Sequence, residues 1–216
     1  MKYNAVIFDL DGTILSTLED LSDSVNFALR NNSLPERTID EVRCFVGNGI
    51  RLLIERAVPK NCDLSVVDSV FSDFKSHYKT NCTNKTMPYD GIIDMLNSLK
   101  NKGIKLGVLS NKADFAVQDL CERYFYNIFD GVLGEVENTP KKPAPDGVYN
   151  VMKRMGVVNP KCVYVGDSDV DVLTAKNANL DCIAVSWGFR DVDNLKNAGA
   201  EVIVSTPKEL FEEIIR

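Results

Sequence analysis

Asp9 and Asp11 stand one residue apart, directly after the apolar run Ala5–Phe8 and just before Gly12 and Thr13. Carboxylates this close repel each other unless a positive charge lies between them, and a hard divalent cation such as Mg2+ supplies one. Three more polar segments carry related chemistry: Ser110-Asn111, Lys141-Lys142-Pro143, and Gly166-Asp167-Ser168-Asp169-Val170-Asp171. Together they suit phosphoryl transfer. A phosphate needs hydroxyl and N–H donors, which Ser110 and Asn111 offer at an expected helix N-terminus. It needs a compact cation, which a lysine offers. Asp9 and Asp167 are the candidates to ligate Mg2+, with the backbone carbonyl of Asp11 as a third ligand. A carboxylate can attack phosphorus, while a second carboxyl protonates the leaving oxygen and later deprotonates a water.

These groups need a scaffold that gathers them. Ala5–Phe8 is a short apolar run ended by turn residues, the pattern of a strand buried on both faces. From about residue 15 to 82 the pattern is helix and turn. Thr17-Leu18-Glu19-Asp20 reads as a capping box opening a helix with Leu18, Leu21, Val25, Ala28 and Leu29 at helical spacing. Thr38 to Cys44 forms a second helix, Ile50 to Ala57 a third after a glycine turn, and Asp63 caps a fourth that runs to Tyr78. Beyond Pro88 helices and strands alternate. Strands are expected at 104–109, 131–133, 162–165, 182–185 and 202–204, with helices between them and at the C-terminus. Such alternation implies a parallel sheet flanked by helices, with right-handed crossovers. The polar segments follow strands in this pattern, and open α/β sheets bind ligands at the carboxyl ends of their strands.

Composition sets outer limits. The chain of 216 residues is 44% hydrophobic and 26% charged, in the globular range, and its net charge of −6 with no long basic run argues against nucleic acid or an anionic membrane as the partner. No apolar run is long enough to span a bilayer. The six cysteines, at 44, 62, 82, 121, 162 and 182, form no C-x-x-C pair, so neither a zinc site nor a redox motif is indicated. No secretory signal precedes the first strand, so the thiols are expected to be reduced and the protein cytoplasmic. Asn81-Cys82-Thr83 and Asn84-Lys85-Thr86 match the glycosylation pattern by chance on that reading.

The four segments resemble the four motifs of the haloacid dehalogenase (HAD) superfamily: Asp9-Leu10-Asp11-Gly12-Thr13, Ser110, Lys142, and Gly166 to Asp171. The resemblance runs along essentially the whole chain. It implies an α/β fold with a Rossmann-like parallel sheet core, residues 1–14 and 83–216, and an inserted all-helical cap of the first class, residues 15–82. It implies that Asp9 is the nucleophile, Asp11 the general acid/base, Ser110 and Lys142 phosphate binders, and Asp167 a Mg2+ ligand; the residue types add Asn111 to the phosphate binders and Asp9 and Asp11 to the metal ligands. Asp171 then supports the metal or orients Lys142. Lys142, which directly precedes Pro143, is preferred to Lys141 because the family motif has that order. Asp169 is left at a helix start, where acids are favoured anyway.

Within the superfamily, Val46-Gly47-Asn48-Gly49 with Arg51, and Ser186-Trp187-Gly188-Phe189-Arg190, look most like phosphoglycolate phosphatases. A glycine loop with an arginine can hold a small carboxylate, which makes Gly47, Asn48, Gly49 and Arg51 the candidate specificity residues of the cap. The expected substrate is therefore a small anionic phosphorylated metabolite, 2-phosphoglycolate first, cleaved through an aspartyl phosphate with Mg2+ by a monomer or homodimer. A pyrophosphatase or a phosphosugar mutase shares the core; mutases of this group carry a histidine in the first cap helix, whereas His77 falls on the last. A receiver-like phospho-acceptor, a switch and not an enzyme, uses a similar acid pocket but lacks the helical insertion. A Ser-His-Asp hydrolase is hard to build with one histidine, and no G-x-x-x-x-G-K-[ST] loop occurs.

Overall fold

A computed structural model describes residues 2–157 and 161–216. The chain begins with β1 (Ala5–Phe8) and the two-residue strand β2 (Leu15–Ser16). Four helices follow: α1 (Leu18–Asn31), α2 (Ile39–Phe45), α3 (Ile50–Ala57) and α4 (Leu64–Asn81). The short β3 (Met87–Pro88) opens the alternating part, which runs α5 (Ile92–Asn101), β4 (Lys105–Ala113), α6 (Asp114–Tyr124), β5 (Gly131–Glu135) and α7 (Asp146–Arg154). It closes with β6 (Cys162–Gly166), α8 (Asp169–Asn177), β7 (Asp181–Val185), α9 (Val192–Asn197), β8 (Val202–Val204) and α10 (Pro207–Ile215). Two compact units result, one of Met1–Leu15 with Pro88–Arg216 and one of Ser16–Met87. Residues 83–87, grouped with the sheet in the sequence reading, fall in the helical unit.

The larger unit carries a six-stranded sheet in the order β5-β4-β1-β6-β7-β8. Every neighbouring pair is parallel. Chain order runs outward from β1 to β4 and β5, then jumps to β6 on the other side of β1. β1 is thus where the strand order reverses, the position at which open sheets form a ligand crevice. Its alternate side chains explain why it stays at the centre. Val6 and Phe8 join the core with Leu106, Val108, Val163 and Val165 under α5, α6 and α10. Ala5 and Ile7 face the other way, into Tyr164, Leu133 and the inner sides of α7 and α8. All four β1 side chains have no exposed surface, and burying side chains of the Val, Ile and Phe kind contributes roughly 1.5–3 kcal/mol each.

The helical unit builds its own core. α1 offers Val25, Ala28 and Leu29, α3 offers Ile54 and Ala57, and α4 offers Val70 and Phe74, all fully buried. The Phe74 and Tyr78 rings stack at 5.3 Å along α4. α2 starts with a true capping box, in which Glu41 N donates to Thr38 Oγ1 at 3.2 Å and Thr38 N donates to Glu41 Oε2 at 2.8 Å. Gly47 and Gly49 have φ of 118° and 89°, so the turn before α3 requires glycine at both positions.

Two expected caps are not made. Thr17 occupies the position before α1 but with helical angles (φ −113°, ψ −2°), and its side chain caps nothing. Its buried hydroxyl has no hydrogen-bond partner among the described residues. Asp20, the expected partner in that box, accepts instead from the backbone N–H groups of Lys85 and Thr86, at 3.0 and 2.9 Å. Asp63 precedes α4 without a side-chain bond to it.

Candidate active site

β1 ends at Phe8 and delivers Asp9 to the carboxyl edge of the sheet, where Asp9 N donates to Val165 O at 2.8 Å. The neighbouring β6 delivers Asp167. Carboxylate oxygens of Asp9, Asp167 and Asp171 lie within 4.8 Å of one another, and all three residues are buried. Lys142 closes this cluster, its Nζ 2.8 Å from Asp9 Oδ1 and 2.7 Å from Asp171 Oδ1. Lys141, beside it in sequence, pairs with Glu135 at 2.8 Å and is exposed, so the buried lysine is Lys142.

Electrostatics follow from the burial. Desolvation pushes the Asp9 carboxyl well above its usual range; Lys142 opposes this, while Asp171 and Asp167 add to it. Burial, then the charge of Asp171, takes Asp167 up to about 7. Burial alone would lower the Lys142 ammonium, but the carboxylates of Asp171 and Asp9 outweigh it and hold Lys142 well above its ordinary value. Two buried carboxylates that resist ionisation beside each other form a set that a divalent cation satisfies. The turn after β1 leaves room for it. Gly12 has φ of 88°, and a Cβ there would fall 2.4 Å from Asp167 Oδ2.

Asp171 plays a different part from the other two acids. It is the third residue of α8 and forms a capping box with Ser168: its Oδ2 accepts from Ser168 N at 3.1 Å and from Ser168 Oγ at 2.6 Å. Its Oδ1 takes Lys142 and the Tyr164 hydroxyl, the latter at 3.3 Å. With two donors on each oxygen, Asp171 fits the role of orienting Lys142, whereas Asp9 and Asp167 keep lone pairs with which they could hold Mg2+. Asp169 is exposed at the start of α8, its Oδ1 3.6 Å from Arg190 Nε.

Ser110 and Asn111 are not at a helix N-terminus as expected. β4 runs on through Ala113, with a register shift against β5 between Leu109 and Ala113, and α6 starts only at Asp114. Both residues are buried at the strand end. Asn111 turns its amide to the main chain of Lys142, donating to Lys142 O at 3.1 Å and accepting from Lys142 N at 2.9 Å. Its side chain therefore positions the lysine.

Four participants escaped the sequence reading. Lys112 Nζ lies 2.9 and 3.1 Å from the two Asp11 oxygens, and its side chain is only 5% exposed. Thr13 Oγ1 donates to Asp167 Oδ1 at 3.2 Å, and Phe189 N donates to Asp167 Oδ2 at 2.6 Å. Tyr164 lies beneath Lys142, its ring centroid 5.8 Å from the ammonium. Lys112 left a signal, as a charged residue ending an apolar strand next to Ser110 and Asn111. Thr13 and Phe189 lie in quoted motifs and Tyr164 in an expected strand, but their partners are set by which strands lie side by side.

The expected specificity residues lie in the helical unit. Arg51, two residues past Gly49, is committed there: its Nε is 2.7 Å from Glu55 and its NH1 2.5 Å from Asp68. His77 is packed in the same unit, stacked on Phe27 at 4.1 Å with Nδ1 3.0 Å from Ser24 Oγ.

Similar proteins agree with this picture. A model of the haloacid dehalogenase-like hydrolases matches residues 6–185. A phosphoglycolate phosphatase of Colwellia psychrerythraea is 30% identical over 98% of this chain and 96% of its own length. One from Psychrobacter arcticus is 31% identical over 99% and 93%. A crystal structure from Lactobacillus delbrueckii subsp. bulgaricus, provisionally described as a phosphoglycolate phosphatase, superposes with a TM-score of 0.94 at 39% identity, covering 99% of both chains. With the acid cluster, the lysine bridge and the strand order already in place, the chain belongs to the haloacid dehalogenase-like hydrolase family, on its phosphatase side.

Proposed function

We propose that the protein is a Mg2+-dependent phosphatase that hydrolyses 2-phosphoglycolate through a phosphorylated Asp9. The observation that carries this reading is the Asp9 carboxylate at the end of the central strand, bonded to Lys142 and grouped with Asp167. Asp9 and Asp167, with the Asp11 main-chain carbonyl, would hold Mg2+. Bound there, the cation offsets the negative charge that the phosphoryl group brings to these acids.

The residues divide the work. An Asp9 oxygen attacks phosphorus; a P–O bond to Asp9 forms as the bond to the substrate alcohol breaks. Asp11 gives its proton to the departing oxygen and then takes one from the water that attacks the phosphoaspartate. Inorganic phosphate leaves and the Asp9 carboxylate is restored. Lys142, held between Asp9 and Asp171 and clamped by Asn111, supplies fixed positive charge to the phosphoryl oxygens, and Ser110 offers a hydroxyl at the end of β4.

The core residues are generic for phosphate, so the substrate preference is placed in the helical unit as a cap over residues 15–82. The relatives named above are phosphoglycolate phosphatases over nearly their whole length, which supports a small substrate carrying a carboxylate. Gly47, Asn48, Gly49 and Arg51 are proposed to meet that carboxylate. Arg51 must then exchange Asp68 or Glu55 for it, which is easy because exposed ion pairs are worth only about 0–1 kcal/mol.

The test is a panel of phosphate compounds with and without MgCl2, reading released phosphate: 2-phosphoglycolate, hexose phosphates, pyrophosphate and p-nitrophenyl phosphate. The reading expects Mg2+-dependent turnover with the highest kcat/KM on 2-phosphoglycolate. A stable phosphoprotein without turnover would instead favour a phospho-acceptor switch, and preference for pyrophosphate would move the substrate.

A further inference from the structure

Between β7 and Asp191, the residue that caps α9, lies a five-residue loop, Ser186–Arg190. The loop turns back onto the ends of two other strands. Trp187 Nε1 donates to Thr13 O at 3.0 Å, in the turn after β1. Thr13 Oγ1 donates to Asp167 Oδ1, after β6, at 3.2 Å. Phe189 N donates to the other oxygen, Asp167 Oδ2, at 2.6 Å, which brings the connections back to the loop. Gly188, between the two donors, packs so tightly that a Cβ would lie 2.3 Å from Asp167 Cβ and 2.5 Å from Gly12 O.

A loop that only joined β7 to α9 would have no need to spend an indole and an amide on these groups. The bonds fix the plane of the Asp167 carboxylate through both of its oxygens. They also tie it to the turn that begins with Asp11, so the Asp9 and Asp167 ends of the cluster share one frame. Each carboxylate oxygen that accepts one of these bonds keeps a second lone pair.

We propose that Ser186–Arg190 is a positioning strap for the cation site, with Phe189 N–H and the Trp187 indole as its two anchors and Gly188 required by its close approach. Trp187 and Phe189 are positioning residues: they act on Asp167 and Thr13 and do not touch the reacting atoms. The proposal rests on the assignment of Asp9 and Asp167 as Mg2+ ligands. It adds that the cation's affinity is set partly by a loop from a third strand, and that Trp187, the only tryptophan of the chain, reports on the site.

The experiment needs no substrate. MgCl2 is titrated into the protein while binding heat and tryptophan emission are followed in parallel. The wild type should show a saturable emission change with the same midpoint as the heat, and Asp167→Asn should show neither. Gly188→Ala should weaken Mg2+ binding by calorimetry about 10- to 100-fold, the range typical when groups that orient metal ligands are altered. Trp187→Phe keeps the aromatic bulk and loses only the N–H, so it decides the matter if Gly188→Ala fails to fold; about a threefold or larger loss is expected. Wild-type affinity in Trp187→Phe and in folded Gly188→Ala would overturn the strap while leaving the phosphatase reading intact. No heat of Mg2+ binding in the wild type would remove the cation assignment and the strap with it.

Discussion

Lys112 grips Asp11 with its ammonium 2.9 and 3.1 Å from the two carboxylate oxygens, while Lys142 bridges Asp9 and Asp171. The two lysines divide the two acids of the Asp9–Asp11 pair between them, and each acid is fixed by its own cation. In the proposed mechanism that separation would let Asp9 attack while Asp11 moves protons.

If Asp11 handles protons, its loss must depend on the leaving group. Asp11→Asn should cut turnover of an alkyl phosphate by about 10²- to 10⁴-fold, the usual value of general acid–base help. The loss on p-nitrophenyl phosphate should be smaller, because nitrophenolate departs without a proton. Lys112→Met should show the same asymmetry at about tenfold, since it frees the Asp11 carboxyl to leave its productive rotamer. Steady-state kinetics on the two esters decides this; equal losses on both would take Asp11 out of the acid role.

Asp9→Asn should leave no more than about 10⁻³ of the activity, as expected when a nucleophile is removed. The fold should survive. Burial and the charges of Asp171 and Asp167 work against an ionised Asp9, and Lys142 keeps Asp171 as a partner after the change. The melting temperature of the cation-free variant should therefore equal or exceed that of the wild type, measured by thermal unfolding at neutral pH. A fall of many degrees would mean that Asp9 holds the fold together as well.

Asp171→Ala is expected to behave in the opposite way. It removes one of two carboxylates from a buried ammonium and the acceptor of two Ser168 donors at once. Breaking one side of a buried ion pair costs about 3–5 kcal/mol, so urea unfolding should show a loss of that order. The contrast between the two aspartates follows from geometry: Asp171 is saturated by hydrogen bonds, whereas Asp9 is crowded by like charges.

Much of this arrangement was legible in the chain. Ala5–Phe8 reads as a strand buried on both faces, Ser110 and Asp167 follow similarly apolar runs, and Lys142 lies in the segment between an expected strand and helix. What the chain could not show was pairing between distant residues. Lys112 meets Asp11 because β4 lies beside β1, and Phe189 meets Asp167 because β7 lies beside β6. Local signals also misled where a longer-range bond won. Thr17 and Asp20 spelled a capping box, but the backbone N–H groups near residue 85 claimed the Asp20 carboxylate. Asn111 reads in the sequence as a phosphate donor, and nothing in its neighbours announces the bonds its amide makes to the Lys142 main chain.

Cation binding should depend on pH in a defined direction. Burial, then the Asp171 charge, raises the Asp167 carboxyl from its ordinary 3.8 to about 7 in the cation-free protein. The folded state thus keeps a proton that the unfolded chain releases. The stability this contributes is complete below the ordinary value and is lost as pH rises through about 7. Mg2+ competes for the same carboxylate, so its affinity should fall roughly tenfold per pH unit below that point and level off above it. Calorimetry in buffers of different ionisation enthalpy would show more protons released per cation at pH 6 than at pH 8. Affinity independent of pH across this window would contradict the assignment of Asp167 as a ligand.

The last prediction concerns the helical unit, where the choice of substrate is placed. Arg51 is anchored by Glu55 and Asp68 at 2.7 and 2.5 Å, yet the pair is partly exposed, with 38% of the Arg51 side chain accessible. A guanidinium that bonds a substrate carboxylate is worth about 1.5–3 kcal/mol, or roughly 10- to 100-fold in binding. Arg51→Ala should therefore raise KM for 2-phosphoglycolate by about tenfold and leave KM for a phosphomonoester without a carboxylate within about twofold. Asp68→Asn tests the same contact from the other side. It removes the competitor for the guanidinium, so KM for 2-phosphoglycolate should fall while that of the neutral ester stays put. If Arg51→Ala raises both KM values equally, Arg51 is only a brace between α3 and α4, and the carboxylate must be met by other groups of the Gly47–Asn48–Gly49 turn.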